Sequence, residues 1–583
     1  MGAPPNSQVA PLPKNLPFRL VSKTIGSGAY ASYASLLLLH PAHTDGWPSI
    51  RKACPLNRPT PIIAVKFIHK EHAFKAGRLR PKQLQIEVSL HRSVSGHKNI
   101  IQFLSHGDDP AWVYMCLELA DGGDLFDKIE ADEGCTEDVA HLFFTQLVNA
   151  IGWCHSKGVA HRDIKPENML LSSDGDLKLA DFGLATQFLV PGRTERKRCG
   201  MVCGSPPYIA PEILEVGLRN QKRKQQGSED KEGYDPQGSD VWSIAIVLFV
   251  LLAGNTPWDT PEMQQFEYYD YVMSHGQPKD ELWTKIPPEA LSLVTGMLNV
   301  NATERLTLPN VKQHAWYTRA NPEMTADGMV VNPLELATQM MESMRIDFNA
   351  PPTASQRAKA DSQPVDAMDV DSGWSKFAST QPDTPSANTP FEWETPPRPN
   401  TAINASQPTS KTQDKRIQVT EEALLSALSE DPSMSQFSQV AVGSMTATQH
   451  ARRFNDIAPA HSMTRFYSHF SMPHLLPLIT AALSALDIPF QPLSPEALDG
   501  KMGSVRFPVK TLDARQQLLQ GSVVVERVEI GSVFAATQME VLEVRFIKAK
   551  GDPVGWRRLF KQVAVLCKEA IPQPKRPEGD SQL

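Results

Sequence analysis

Two short motifs constrain this 583-residue chain more than any other feature of its sequence. Residues 161–168 read His-Arg-Asp-Ile-Lys-Pro-Glu-Asn, and residues 181–183 read Asp-Phe-Gly. A lone His-Arg-Asp tripeptide occurs in many surface loops, but the second motif at this distance excludes that interpretation. Phosphoryl transfer needs a base, a cation near the transferred phosphate and oxygen ligands for Mg²⁺. The matching side chains are Asp163 as the base, Lys165 as the cation, and Asn168 and Asp181 as the metal ligands.

The order and spacing of these motifs resemble those of the protein kinases. The resemblance implies an α+β fold with two lobes, and ATP and Mg²⁺ as cofactors. It also assigns structural positions in the second lobe. Asp240 is expected to hold the backbone of the catalytic loop, and Glu212 and Arg305 are expected to form a buried ion pair. A buried pair of this kind fixes geometry more surely than it adds stability.

Residues 25–33, Ile-Gly-Ser-Gly-Ala-Tyr-Ala-Ser-Tyr, resemble the glycine-rich strand, turn and strand that cover nucleotide phosphates. Glycine lets the backbone approach phosphate oxygens because it carries no Cβ. We therefore predict nucleotide contacts from Ile25, Gly26 and Gly28. Ala31 stands where the family has a third glycine, which predicts a stiffer loop that still binds ATP.

Residues 62–66, Ile-Ile-Ala-Val-Lys, have the pattern of a buried strand that ends in a lysine. Lys66 suits the α- and β-phosphates, and Glu87 on the following helix is its predicted partner. A solvated helix face is the alternative role for Glu87, because Glu71 is also within range.

A second strand-like segment, residues 112–118, leads to the predicted hinge between the lobes. Leu117 is expected to gate the adenine pocket. The backbone from Glu118 to Ala120 is expected to contact the base.

Two insertions depart from the kinase pattern. Residues 41–61 are rich in proline and basic residues, which predicts a surface loop. Residues 219–233 contain Lys222, Arg223 and Lys224, which could serve nuclear import but more often belong to a solvated loop.

Three further segments, residues 122–130, 203–212 and 252–259, resemble the checkpoint effector kinases, a family of serine/threonine protein kinases. The resemblance covers about residues 18–317 and implies that Ser205 hydrogen-bonds the catalytic aspartate and lysine. Only Thr194 is a plausible phosphoacceptor in the activation segment, so activity is predicted without loop phosphorylation.

The same resemblance implies protein substrates that carry arginine three residues before the phosphoacceptor. Asp124 and Glu167 match the acidic residues that receive this arginine. A carboxylate and a guanidinium form a bidentate pair that discriminates arginine from lysine. Asp124 is shorter than the glutamate that the family has, which could relax the preference.

Residues 318–455 are dominated by Pro, Ser, Thr and Gln, which predicts a mostly disordered linker. Two amphipathic stretches, residues 334–344 and 421–428, are docking helices or have no structure. Serine or threonine followed by glutamine recurs here. Composition alone could produce such pairs, but they resemble the clustered sites of the phosphatidylinositol-3-kinase-like checkpoint kinases. Regulatory phosphorylation is predicted at Ser406, Ser435 and Ser438.

Residues 456–571 regain the pattern of a folded core. An apolar helix, three strands and a closing helix are predicted at residues 475–486, 505–509, 523–530, 540–548 and 556–567. This α+β module resembles the kinase-associated domain of checkpoint and related kinases, which implies an intramolecular regulatory partner. Arg557 and Arg558 could bind an anionic surface, although an exposed helix face is the favoured interpretation.

Composition excludes several other classes. The formal net charge of -7 gives no general reason to expect direct binding to nucleic acid. Seven scattered cysteines indicate a reduced intracellular protein. The apolar run at residues 244–253 is about half a membrane span, so it predicts a buried helix and no transmembrane segment. A monomer is expected.

The sequence therefore predicts a bilobal kinase domain at residues 18–317 and a small α+β kinase-associated domain at residues 456–571. Residues 1–17, 318–455 and 572–583 are the N-terminus, the linker and the tail. The resemblance implies a role in cell-cycle arrest after DNA damage, under an upstream phosphatidylinositol-3-kinase-like kinase, in the nucleus and also the cytoplasm.

Two alternatives stay open at this point. One is a metabolic or polarity kinase of the AMP-activated or microtubule-affinity-regulating kind, but no ubiquitin-associated domain follows the kinase domain. The other is an inactive scaffold. The presence of Lys66, Asp163, Asn168 and Asp181 counts against it.

Overall fold

The N-terminal lobe is built on an antiparallel sheet with the strand order β1-β2-β3-β5-β4. Its strands are β1 (Phe18–Leu20), β2 (Ser49–Pro55), β3 (Ile63–His69), β4 (Phe103–Asp108) and β5 (Trp112–Glu118). Helix α1 (Pro81–Val94) packs on this sheet through Leu84 and Val88. Because Glu87 lies on the buried side of α1, it points toward the sheet and not into solvent.

The computed structural model describes residues 12–13, 15–21, 49–70, 81–190, 192–227, 230–346, 348, 432–437, 453–458, 462–490, 503–512, 518–528 and 541–572. Several predictions fall outside these residues. They concern Ile25, Gly26, Gly28, Ala31, Glu71, Ser406, Ser438 and the stretch 421–428.

The segment at residues 41–61 was expected to be a surface loop. That expectation is wrong for residues 49–55, whereas residues 56–61 are exposed outside any strand. Strand β2 lies between β1 and β3, with Ile50 opposite Lys66. Ile50, Ala53 and Cys54 are buried. The strand was missed in the sequence because its apolar pattern is short and lies among basic and proline residues. It is stabilised by pairing with both neighbouring strands.

The C-terminal lobe is organised around helices α2 (Glu137–Ser156) and α4 (Pro236–Ala253). Helix α4 begins at Asp235, whose carboxylate accepts the Gln237 N–H at 3.0 Å, and ends at the left-handed Gly254. Among the described residues, α4 alone is long and apolar enough to cross a membrane, but 89% of it is buried inside the protein. It is therefore the predicted core helix of this lobe.

The other elements of this lobe are short. The strands are β6 (Gly123–Asp124), β7 (Val159–Ala160), β8 (Met169–Leu171), β9 (Leu177–Leu179) and β10 (Thr186–Gln187). The helices are α3 (Pro211–Gln225), α5 (Phe266–Met273), α6 (Glu281–Thr284), α7 (Pro288–Met297), α8 (Leu308–Val311) and α9 (Ala315–Thr318). Single 3₁₀ turns lie at Phe126–Lys128, Pro166–Asn168 and Pro206–Tyr208.

Folded structure continues past residue 317, where the linker was expected to begin. Helix α10 (Pro333–Ser343) starts at Asn332, whose side chain accepts two backbone N–H groups. Leu336, Met340 and Met344 join the core of the C-terminal lobe. The amphipathic stretch at residues 334–344 is therefore a docked helix, and its apolar stripe is covered by the lobe itself.

The C-terminal module, residues 462–572, has its own sheet and core. Its antiparallel strands β11 (Arg465–Ser468), β14 (Leu542–Lys550), β13 (Leu518–Arg527) and β12 (Ser504–Leu512) are neighbours in that order. Helices α12 (Met472–Ala485) and α13 (Pro553–Leu566) supply the rest of the core. A short helix α11 (Phe454–Ile457) precedes the module, and a 3₁₀ turn (Lys568–Ala570) follows α13. The predicted helices and strands are present, with boundaries that shift by a few residues.

The module is docked on the C-terminal lobe. Met463 and Val554 of the module belong to the same apolar cluster as the buried residues of α2 and α4. The 3₁₀ turn Pro432–Phe437 lies at the junction, because Met434 and Phe437 join the core of the module.

Candidate active site

The backbone of the catalytic loop, residues 161–168, is held by one carboxylate of helix α4. Asp240 is fully buried and accepts the backbone N–H groups of His161 at 2.9 Å and Arg162 at 2.8 Å. These bonds hold Arg162 at a φ of 64°, a backbone conformation that costs a non-glycine residue energy. The predicted structural role of Asp240 corresponds to this contact.

Three side chains converge at the predicted base. Lys165 Nζ lies 3.1 Å from Asp163 Oδ2 and donates to Ser205 Oγ at 3.1 Å. Ser205 Oγ in turn donates to Asp163 Oδ1 at 3.3 Å. Burial alone would lower the pKa of Lys165, but the charges of Asp163 and Glu167 raise it above its ordinary value. The lysine is therefore held as a cation beside the base.

Asn168 connects this group to the predicted metal site. Its amide Nδ2 donates to the backbone oxygen of Asp163 at 2.7 Å and to Asp163 Oδ2 at 3.3 Å. The amide oxygen Oδ1 is buried and has no hydrogen-bond partner among the described residues. An oriented amide oxygen without a partner is the kind of ligand that Mg²⁺ takes, so the residues present fit the metal.

On the opposite wall, the predicted ion pair is formed. Lys66 Nζ lies 2.8 Å from Glu87 Oε1 and 3.9 Å from Asp181 Oδ1. Burial alone would lower the pKa of Lys66, but Glu87 and Asp181 raise it above its ordinary value. Burial also raises the pKa of the Asp181 carboxyl, an effect that Lys66 opposes. Both lobes are thus joined by one charged cluster.

The predicted hinge follows strand β5. Leu117 is buried, and Ala120 is buried beyond it. The Glu118 carboxylate points away from the cleft's charged cluster, since it pairs with Lys178 at 2.6 Å and accepts the Gln102 N–H at 3.0 Å.

The second buried ion pair lies under the activation segment, residues 184–209. Arg305 donates from Nη1 to Glu212 Oε1 at 2.7 Å and from Nη2 to Oε2 at 2.9 Å. The same guanidinium donates to the backbone oxygens of Gly238 and Asn299. This fork fixes the start of helix α3 relative to α4.

No phosphate is needed to give Arg162 a partner. Its Nε donates to the Leu184 carbonyl at 2.8 Å, and its Nη1 donates to the Tyr234 hydroxyl at 3.4 Å. Thr194 is exposed on the outer part of the activation segment. The described part of the segment is therefore ordered by contacts that do not involve Thr194.

We expect Thr194→Ala to lower activity by less than tenfold, about 1.4 kcal/mol of barrier. The measurement compares bacterially produced wild-type and variant protein in one peptide assay, with mass spectrometry to show that the loop carries no phosphate. A larger loss would mean that Thr194 has a partner outside the described contacts.

The predicted substrate residues lie under the docked module. Asp124 is 4% exposed, and its Oδ1 accepts the Phe126 N–H at 2.8 Å. Burial, with the nearby Asp127 carboxylate, raises the pKa of Asp124 to about 8, an effect that Lys548 of the module opposes. Glu167 is 8% exposed, and its charge acts on Asp552 at the start of α13. In this arrangement neither acid is open to a substrate arginine.

The prediction of an exposed helix face for Arg557 is wrong. Its guanidinium is 2% exposed and donates from Nη2 to Glu130 Oε2 at 3.0 Å and to the Met344 carbonyl at 3.2 Å. From Nη1 it donates to Gln436 Oε1 at 2.6 Å and to the Met463 carbonyl at 3.1 Å. The Arg557 side chain thus contacts four parts of the chain: Glu130 of the kinase lobe, Met344 just after α10, Gln436 of the linker and Met463 of the module.

Neighbouring positions of α13 add further ion pairs. Arg558 donates from Nε and Nη2 to the two Asp132 oxygens, both at 2.6 Å. Lys561 lies 3.1 Å from Glu130 and 3.5 Å from Glu133. Burial alone would raise the pKa of Asp132, but Arg558 lowers it below its ordinary value. The acidic residues at positions 130–133 and the basic residues at positions 557–561 are visible in the sequence. Only the docked structure shows that they pair.

Gln436 was also missed as a contact residue. Its amide Nε2 donates to the Met463 and Arg465 carbonyls at 3.1 and 3.2 Å, and its backbone oxygen accepts the Ile346 N–H at 2.8 Å. Phe437 stacks on Phe348 with ring centroids 6.0 Å apart. The glutamine of a predicted Ser-Gln site is therefore buried in the junction.

Comparison with known proteins gives consistent similarities. Residues 52–317 match the protein kinase domain family. Serine/threonine-protein kinase chk1 of Schizosaccharomyces pombe is 36% identical over 556 residues, 94% of this chain and 96% of that protein. Serine/threonine-protein kinase CHK1 of Saccharomyces cerevisiae is 31% identical over 580 residues, 97% of this chain and 99% of that protein.

CBL-interacting protein kinase 11 of Oryza sativa subsp. japonica is 34% identical over 257 residues, 44% of this chain and 46% of that protein. The two fungal similarities thus extend over the linker and the C-terminal module, whereas this one covers less than half of the chain.

Proposed function

This chain belongs to the Chk1 family of serine/threonine protein kinases, and from that premise we propose that it phosphorylates protein substrates with arginine three residues before the phosphoacceptor. We also propose that its own C-terminal module holds it inactive. The observation that carries the proposal is the combination of a completely assembled catalytic group with a substrate face that the module covers. The ion pairs of Arg557 and Arg558 supply this cover.

The chemistry follows from the residues of the cleft. MgATP supplies the γ-phosphoryl group when bound, with Asn168, Asp181 and Lys66 as the residues that would hold it. Asp163 orients the substrate hydroxyl and accepts its proton. Lys165, 3.1 Å from that carboxylate, places a positive charge where negative charge develops in transfer.

The proposed role of Ser205 is to hold the base. By bonding both Asp163 and Lys165, it fixes the carboxylate relative to the cation. Preorganised groups of this kind need no rearrangement during the reaction.

We propose that Asp124 and Glu167 bind an arginine three residues before the phosphoacceptor once the module has left. Exposure of Asp124 would return its carboxylate to the ionised form that a guanidinium needs. Each acid interacts with a charged group of the docked module: Lys548 opposes the rise in the pKa of Asp124, and the charge of Glu167 raises the pKa of Asp552.

The peptide preference is tested with an array that varies this position among arginine, lysine and alanine. We expect arginine to be favoured about tenfold or more over alanine, since a charge-assisted pair contributes about 1.5–3 kcal/mol. Glu167→Gln should weaken the preference, so that turnover of the arginine peptide falls by a larger factor than turnover of a peptide without this arginine. An array that is indifferent to this position would contradict the assignment.

The support for autoinhibition is geometric. The catalytic cluster keeps its contacts while the module covers Asp124 and Glu167, so docking hinders the protein substrate and not the formation of the Lys66–Glu87 pair. Tethering by the linker makes docking intramolecular, with an effective concentration near millimolar for a flexible chain. A modest set of contacts is then enough to keep the substrate face covered.

Phosphorylation of the linker is proposed as the release signal, with Ser435 as the favoured site. Gln436 beside it donates and accepts hydrogen bonds in the buried junction. A phosphate adds about -1.5 to -2 charges to a turn in which Met434, Gln436 and Phe437 are buried, which should disfavour docking. Ser406 and Ser438 stay predictions of the sequence.

We propose a cellular role in checkpoint arrest, supported by the near full-length similarity to two kinases named Chk1. An upstream phosphatidylinositol-3-kinase-like kinase and a nuclear as well as cytoplasmic location belong to the same proposal. Cells that make only Asp163→Asn protein should fail to delay division under replication stress, while wild-type cells delay it. Equal delay in both would contradict the role without affecting the kinase assignment.

A further inference from the structure

The insertion at residues 219–233 folds back onto the activation segment. Helix α3 runs into the insertion, to Gln225, and residues 230–234 form a return limb beside it. Asn220 receives and donates one hydrogen bond each with the backbone of Glu232, at 2.8 and 3.0 Å. Arg219 Nε donates to the Glu232 carboxylate at 2.7 Å. The limb is thus attached to the helix by both backbone and side chain.

The other side of the return limb pairs with the activation segment. Arg198 Nε donates to the Gly233 carbonyl at 2.8 Å. Cys199 and Tyr234 exchange both backbone hydrogen bonds, at 2.9 and 2.8 Å, as neighbouring strands do. A segment that was expected to be a solvated loop therefore supports the described part of the loop that precedes Ser205.

The Tyr234 side chain then reaches the catalytic loop. The ring is 1% exposed, and its hydroxyl donates to the Met201 carbonyl at 2.9 Å. The same hydroxyl accepts from Arg162 Nη1 at 3.4 Å, while Arg162 Nε donates to the Leu184 carbonyl. Arg162 and Tyr234 together connect the first residues of the activation segment with its last part.

Charge makes this connection unusual. In many kinases the arginine at this position binds a phosphate on the activation loop, which orders the loop. Here, among the residues that the structure describes, no carboxylate forms an ion pair with Arg162. Burial raises the pKa of the Tyr234 hydroxyl, so it stays a neutral group that accepts from the guanidinium and donates to a carbonyl.

We propose that Tyr234, held by the return limb of the insertion, is a positioning residue for catalysis that takes the place of the activation-loop phosphate. It acts through Arg162, which precedes the base Asp163, and not by touching substrate. The proposal rests on the kinase activity alone and is independent of autoinhibition.

The test uses dephosphorylated full-length protein that carries Thr194→Ala, so that no loop phosphate can compensate. Tyr234→Phe is expected to lower kcat about tenfold, with KM for ATP changed less than about twofold. Asn220→Ala, which detaches the return limb but keeps the hydroxyl, should lower kcat by a smaller factor. Added as a second variant, it keeps the test informative where Tyr234→Phe does not fold.

Tyr271→Phe is the matched control. Tyr271 is buried in the same lobe, and its hydroxyl also donates to a carbonyl, that of Leu298 at 3.0 Å. This variant loses the same type of bond without contact to the catalytic loop. Its melting temperature should fall as that of Tyr234→Phe does, but its kcat should equal that of the parent protein.

A double-mutant cycle with Arg162→Gln separates positioning from mere stability. If Tyr234 acts through the arginine, Tyr234→Phe should cause no further loss of kcat in the Arg162→Gln protein. The proposal is overturned if kcat of Tyr234→Phe stays within twofold of the parent, if Tyr271→Phe loses as much, or if the two losses multiply. If the docked module leaves the parent protein without measurable activity, the same comparisons are made with Arg558→Glu added to every protein, which breaks the pair with Asp132. A parent that is inactive there as well would refute the kinase assignment.

Discussion

Replacing Asp163 by asparagine should lower the rate of phosphate transfer to a peptide by about 10²- to 10⁴-fold, the usual contribution of a general base. Asparagine keeps the shape and can still bond Ser205 and Asn168, but it cannot accept the substrate proton or balance the charge of Lys165. The protein should still fold, although the loss of one charge partner of the buried Lys165 should lower its melting temperature. The measurement is a single-turnover assay with equal amounts of purified wild-type and variant protein.

Asp174→Asn is the matched control, because Asp174 is exposed in the turn between β8 and β9. The same chemical change there should leave the rate unaltered. Lys66→Met gives an independent arm: it breaks the pair with Glu87 and should also reduce transfer by orders of magnitude. Near wild-type activity of Asp163→Asn would show that another group accepts the proton.

The second large effect is expected from Arg558→Glu in the full-length chain, which should become more active. The change removes a bidentate pair with Asp132 and places two negative charges in contact. Loss of a mostly buried charge pair costs about 2–5 kcal/mol. The docking equilibrium should therefore shift about 30-fold or more toward the open state.

Because Asp124 and Glu167, the proposed substrate residues, are buried in the docked arrangement while the Lys66–Glu87 pair is formed, release should appear mainly as a lower KM for the peptide. KM for ATP should be nearly unchanged. Asp132→Asn should act in the same direction, since asparagine tolerates the φ of 65° at this position but carries no charge. The two changes together should give no more activation than either alone.

Lys568→Glu is the control for this series, because Lys568 is exposed just beyond α13. Reversing its charge should leave the kinase as inhibited as wild type. Ser435→Glu, a partial mimic of phosphate, should activate if the junction segment must leave for the module to open. Unaltered activity of Arg558→Glu and Asp132→Asn would mean that docking does not restrain the enzyme.

Much of the active site was predictable from the sequence. The catalytic loop and the Asp-Phe-Gly motif are identified because several functional side chains stand at fixed spacings in short stretches, and Lys66 because it ends the pattern of a buried strand. Glu87 could be predicted as the partner of Lys66 only with an alternative left open, because the sequence does not show which carboxylate reaches the lysine. The structure decides it through the burial of α1 on the sheet.

Local pattern also predicted the secondary structure of the C-terminal module and the apolar core helix α4. It failed for β2 and for the boundary at residue 317. Strand β2 has a weak pattern of its own and exists through pairing with β1 and β3. Helix α10 is short and amphipathic, and only the lobe that covers its apolar stripe makes it stable.

What the sequence by itself determined is the reaction, because Asp163, Lys165 and Asn168 stand in one short motif and Asp181 follows in a second. What only the tertiary structure decided are the contacts on which the proposed control rests: Arg557 meets Glu130 across 427 positions of the chain, and Tyr234 meets Arg162 across 72. The sequence shows which groups a charged or polar side chain can bind, but it does not show whether that side chain is buried. Burial, which makes such pairs specific, arises only when distant segments pack together.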